Sequence, residues 1–156
     1  MSTVWRYFEL LSLGTWLGAV IFLSFAVAPG AFATLGSRDQ AGAVVSMALG
    51  RLHLLGVVCG IVFLIACVLR AGSLAALVRP AALIVILMIA LTVASQHVVS
   101  VRMATLRAEM GSVERTPETS PLRVEFNRLH RYSVWLETGV LLAGLAAMFL
   151  AVRDRG

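Results

Sequence analysis

Apolar residues gather into four long runs, and the polar positions fall between them. The runs cover roughly residues 8–28, 50–69, 81–101 and 133–152. Each approaches the ~20 residues that a helix needs to cross the hydrocarbon of a bilayer. Backbone polar groups in hydrocarbon must bond within their own segment, so the runs are expected to be helices. Pro29-Gly30 is expected to end the first. Ser37 to Gln40 reads as a capping box that opens a helix near Arg38, running on to Leu69. Pro80 suits the first turn of the third span. A hydrophilic stretch, 102–132, is broken by Thr116-Pro117 and Ser120-Pro121. Its first part should extend span three, and Pro121 onward should begin span four, which Arg153, Asp154 and Arg155 close.

Short connections make sequential helices antiparallel neighbours. The expected fold is therefore all-α: an integral membrane, up-down-up-down four-helix bundle. It forms a single domain over 1–156, with both chain ends on one side of the membrane. The four runs show no internal duplication of the kind found in transporters. Gly14 and Gly18, and again Gly56 and Gly60, have the small-residue spacing that lets membrane helices pack closely. Arg6, the first apolar run and Ala31-Phe32-Ala33 imitate a signal peptide. However, the run from Leu10 to Ala28 is longer than such a core, and Glu9 spoils the basic start, so the segment is expected to remain as a span.

Composition agrees with the pattern. Hydrophobic residues make up 60% of the 156 positions and charged residues 13%, where a soluble domain carries about a quarter charged. All 13 basic residues are arginine, and they sit at the ends of the apolar runs. That placement fits anchors to lipid headgroups rather than nucleic-acid binding. Arg6, Arg70, Arg79, Arg153 and Arg155 belong to the side of the termini, and the other eight arginines to the opposite side. Those eight are spread over longer loops, so by density the positive-inside rule puts the termini in the cytoplasm. Cys59 and Cys67 lie eight residues apart in one run, about 12 Å along a helix, too far for a disulfide.

Alternation of the spans places every histidine at one end of the bundle. His53 starts span two, His97 ends span three, and His130 precedes span four. Glu137 follows His130 by two helical turns on the same face, with Ser133 between them. An ionisable residue inside a span is a functional candidate. Gln96, Thr92 and His97 are its candidate hydrogen-bond partners. His53, His97, His130 and Glu137 together offer a ligand, proton or metal site of a kind that suits zinc, copper or iron. Two of these histidines, His53 and His130, would also suit haem if spans two and four face each other. The competing reading makes the histidines interfacial and Glu137 part of a polar packing layer. Glu9 reads as an interfacial partner of Arg6. Residues 121–132 interleave basic positions with Leu122, Phe126 and Leu129, as a segment lying on headgroups would. No hydrolase elbow, phosphate loop or metalloprotease helix is present.

Several ordered segments carry a family resemblance. They are Gly14-Thr15-Trp16-Leu17-Gly18 with Phe22, Pro29 and Phe32-x-x-Leu35; Arg51-Leu52-His53; Val101-Arg102 through Leu106-Arg107; and Arg123-x-x-Phe126-x-Arg128-Leu129-His130-x-x-Ser133. The set resembles the transmembrane protein 205-like family, built on domain of unknown function 4149. The resemblance implies a four-span membrane protein without an established activity, and directs attention to His53 and His130. Three departures are Arg51 at an expected aromatic, Val101 at an expected proline, and Glu137 near an expected asparagine.

Three functional readings follow. The first is a non-enzymatic membrane protein that binds a small ligand, lipid or metal at the histidine mouth. The second is a membrane redox protein with haem or metal. The third is a structural or assembly subunit, homo-oligomers included, that uses the glycine faces.

Overall fold

The computed structural model describes residues 2–153. Four long helices dominate it: α1 (Thr3–Thr34), α2 (Arg38–Ala71), α3 (Pro80–Met110) and α4 (Pro121–Arg153). No strand occurs among the described residues. All four helices are long and apolar enough to cross a membrane. At 31 to 34 residues, each is about 45–50 Å long and exceeds the ~30 Å hydrocarbon core. Their polar ends therefore stand clear of it. Local chemistry sets the ends. Ser37 Oγ accepts the Asp39 N–H at 3.1 Å and caps α2, while Gly72, with φ 65°, closes that helix in the left-handed region. A 3-10 turn, Leu74–Val78, leads to Pro80 in the first turn of α3. Asp154 and Arg155, expected to close the last span, lie outside the described residues.

Pro29-Gly30 does not stop α1, contrary to expectation. The helix widens into a π turn over Leu23–Val27 and then runs on through Ala28–Thr34. Proline has no N–H and its ring crowds the carbonyl four residues back. The wider turn relaxes that conflict, because the Ala28 N–H already bonds Leu23 O, five residues away. A second π turn, Ser95–Ser100, carries α3 past its polar stretch into Val101–Met110. Residues 121–132 do not lie apart on headgroups. They form the first turns of α4, with Phe126 buried.

The helices form a closed ring, each packed on its sequence neighbours and α4 returning to α1. Among the described residues no close backbone approach joins the diagonal pairs α1–α3 and α2–α4. Arg6 Nη2 donates to Val152 O at 2.9 Å, so the two chain ends meet on one side. The exterior is apolar, with Ile65, Leu87, Leu145 and Phe149 exposed, as lipid contact requires.

Trp16 occupies the upper core, meaning the half nearer the termini, and is 1% exposed. A Cβ at Gly56 would collide with its indole, and one at Gly60 would fall 2.7 Å from the Ile89 side chain. These two glycines let α2 take in the tryptophan. The first pair behaves otherwise. A Cβ at Gly14 would make an ordinary contact with Met148, and Gly18 has open space around it. Buried Leu13, Trp16, Leu17 and Val20 define the inward face of α1. At 3.6 residues per turn, Gly14 and Gly18 lie roughly 110° and 150° from its centre. Spacing alone did not reveal that offset. Gly144 supplies another close contact, against Leu17 and Met88.

Substituting Gly56→Ala should destabilise the bundle by about 1–3 kcal/mol, whereas Gly18→Ala should change it by less than about 0.5 kcal/mol. Thermal unfolding in mild detergent checks both. Equal melting of the two variants would mean that the indole does not rest on Gly56.

Candidate functional site

His53 joins three helices at one level. Its ring on α2 is 3% exposed. Its Nδ1 lies 2.7 Å from Gln96 Oε1 on α3, and its Nε2 lies 2.6 Å from Glu137 Oε1 on α4. The bond to Glu137 crosses the diagonal where the backbones of α2 and α4 do not meet. Gln96 reaches the ring from the π turn of α3. As placed, Gln96 presents an oxygen, which only accepts, so His53 Nδ1 donates to it. The other nitrogen then has two satisfied arrangements. It donates to a carboxylate as an imidazolium, or it accepts from a protonated Glu137 as a neutral ring. These differ by the position of a single proton along a 2.6 Å line.

The remaining sequence candidates divide. Ser133 is buried and, with Glu137 and His130, lines a cavity beside the tie. His130 is exposed there and stands two turns nearer the loop end of α4. His97 is exposed and lies outside both the tie and the cavity wall. The three histidines therefore do not converge on one centre. Among the described residues no three His, Cys, Asp or Glu side chains group as a metal set. A metal or haem at His53 would have to break one of the two hydrogen bonds that already engage its ring nitrogens.

A cavity opens at this end of the bundle. It measures about 600 Å³ and touches all four helices, within the range of small-molecule sites. Its origin lies in how α1 runs. Near the termini α1 touches α4 through Leu17 against Gly144. Beyond Phe22, α1 stays on α2 and makes no close approach to α4 among the described residues. The gap that results has mainly apolar walls, including Leu49, Met103 and Leu141. Its rim carries Phe25, Phe32 and Val134, which are 72%, 52% and 52% exposed. Those exposed side chains face outward, where lipid would be.

The loop between α3 and α4 closes the far end. Asp39 accepts from Ser112 Oγ at 2.5 Å and from the Val113 N–H at 2.9 Å. Glu114 Oε2 in turn accepts from the Arg38 N–H at 3.2 Å and from Ser37 Oγ at 3.4 Å. Both acids of the cavity floor are thus held by loop and helix-start donors. Arg107 Nη1 donates to Gly42 O at 3.3 Å, and its guanidinium lies over the Phe126 ring, 5.6 Å from the centroid.

A buried ion pair escaped the sequence reading. Glu9 does not sit at the interface beside Arg6. It is 1% exposed and accepts from Arg70 Nε at 2.7 Å. Glu9 shares the i, i+4, i+7 spacing of Leu13 and Trp16, which turns it towards α2. That spacing was the available signal. Cys59 and Cys67 are both buried and free.

These features define a multi-pass, four-helix membrane bundle with a polar tie at mid-length and a side cavity below it. The chain belongs to the family described as domain of unknown function DUF4149, whose model matches residues 11–112. The match takes in His53, Gln96 and Arg107 and stops before α4, so Arg123, His130 and Glu137 lie outside it. No curated protein and no solved structure matches the chain.

Removing Glu137 as Glu137→Ala leaves a buried ring nitrogen without its partner and should cost about 1–3 kcal/mol. Glu137→Gln can donate an amide N–H to a neutral ring and should retain most of that stability. Unfolding of both variants in detergent tests the tie. Wild-type stability of Glu137→Ala would show that His53 needs no partner.

Proposed function

We propose that this protein is a non-enzymatic, multi-pass membrane protein that binds one amphiphilic small molecule in the cavity between α1 and α4. The observation carrying this reading is the rim: a cavity of about 600 Å³ bordered by exposed Phe25, Phe32 and Val134. Exposed aromatic and branched side chains at such a rim favour sideways access for an alkyl chain from the bilayer. A mostly apolar wall with a few polar groups at its ends suits a molecule that is itself apolar with a polar end. The His53 tie forms the inner boundary, and the loop held by Asp39 forms the outer one. Termini in the cytoplasm of a cell membrane follow from the density of arginines on their side. The cavity then belongs to the leaflet away from the cytoplasm.

Native mass spectrometry of protein extracted in mild detergent tests the reading. One bound amphiphile per chain is expected. Ser46→Trp and Ala104→Trp each place an indole in the cavity wall, so both should expel it while the fold persists. Protein that carries no amphiphile, or tryptophan variants that keep it, would overturn the proposal.

A further inference from the structure

The charged groups along the cavity are not equivalent. Asp39 and Glu114 accept hydrogen bonds from the loop and the start of α2. Glu137 is met by His53. The arginines are less fully met. Arg123 Nε and Nη1 are buried without a hydrogen-bond partner, and so is Arg107 Nε. Both residues line the cavity. Phe126, over which Arg107 lies, stands one turn along α4 from Arg123, and all three residues line the cavity. A buried N–H of a cation that meets no acceptor loses water and gains nothing in return. Native interiors usually give such a group an acceptor, from protein, from ordered water or from a bound molecule.

We infer that Arg107 and Arg123 form the headgroup site of the cavity, and that its ligand is an anionic amphiphile: an alkyl or acyl chain ending in a carboxylate or a phosphate monoester. This rests on the proposed cavity function and names the ligand class. Guanidinium groups bind both headgroups through paired N–H bonds. The position agrees with the chemistry. Arg123 lies 14 residues from Glu137 along α4, a distance of about 21 Å. The headgroup would sit at the polar, loop end of the bundle. The chain would run inward past Phe126 and Leu49 and reach the rim at Phe25 and Val134. The acids near the headgroup, Asp39 and Glu114, already accept hydrogen bonds from N–H and O–H donors of the loop and the start of α2.

Binding should be compared across oleate, oleoyl lysophosphatidate, mono-oleoylglycerol and inorganic phosphate, by native mass spectrometry titration of the full chain in a neutral detergent. Both anionic amphiphiles should bind at least about tenfold more tightly than the neutral one. Arg123→Gln should weaken binding of both anionic amphiphiles far more than that of mono-oleoylglycerol, and so remove the preference. Arg123→Lys should keep part of it. The melting temperature of each variant shows whether the fold persists, and the headgroup comparison on the wild-type chain does not depend on any variant. Equal binding of neutral and anionic chains would overturn the headgroup site and leave the cavity reading standing. Inorganic phosphate binding as tightly as lysophosphatidate, and unaffected by Ser46→Trp, would make the arginines a site for soluble anions and overturn the amphiphile. No binding of any chain would remove both readings together.

Discussion

A carboxyl group placed among apolar helices must find a partner within the protein, because lipid offers none. Glu137 meets this requirement through His53, and His53 meets its own through Gln96. The consequence reaches beyond the three side chains. In a ring of four helices the backbones of α2 and α4 stay apart. Apolar contact across that diagonal lacks directionality, and in lipid it has no hydrophobic driving force behind it. A hydrogen bond of 2.6 Å has both direction and length. It fixes how far apart α2 and α4 stand, and Gln96 fixes the rotation of α3 against them. The two ends of the bundle then acquire different characters on either side of this level.

Towards the termini, the bundle is filled. Trp16 lies against Gly56 and Gly60, while Leu17 and Met88 close on Gly144. Glu9 and Arg70 add an ion pair there. Towards the loop, α1 keeps to α2 and parts from α4. The π turn at Leu23–Val27 sits where the parting begins, and it also accommodates Pro29. A π turn rotates the following segment relative to the preceding one. The same local distortion that keeps proline inside α1 therefore coincides with the start of the cavity. The second π turn, Ser95–Ser100, delivers Gln96 to His53. Irregular backbone occurs in this bundle beside its polar features, where protein groups can absorb it.

Much of the fold is legible in hydropathy alone, since a run of apolar residues in a bilayer has only one way to satisfy its backbone. The candidate site is legible in part. Glu137, His53 and Gln96 can be named from their position within spans, because an ionisable or amide group there needs a partner. Which partner each takes depends on rotation and depth, and these emerge only when helices pack. His97 neighbours Gln96 in sequence yet is exposed, about a quarter turn around the helix from it. Glu9 shows the reverse case. Its place near the chain start suggests the interface, but its register with Leu13 and Trp16 buries it. The glycine pairs make the same point. Gly56 and Gly60 face Trp16, while Gly18, at identical spacing, faces outward.

Arginine at the ends of spans has a general role as an anchor to the interface. Arg123 and Arg107 occupy that position in sequence but not in space. An anchoring arginine extends its head into water or headgroups, where every N–H finds an acceptor. Here three of the N–H nitrogens are covered by protein and face no acceptor within it. The neighbouring acids do not fill the gap, because the loop engages Asp39 and Glu114 first. This division of partners has a physical reason. Backbone N–H groups at a loop and a helix start have no other acceptor, whereas a guanidinium can draw an acceptor from a ligand. The loop closes on the acids, and Arg107 and Arg123 line the cavity with N–H groups still unmatched.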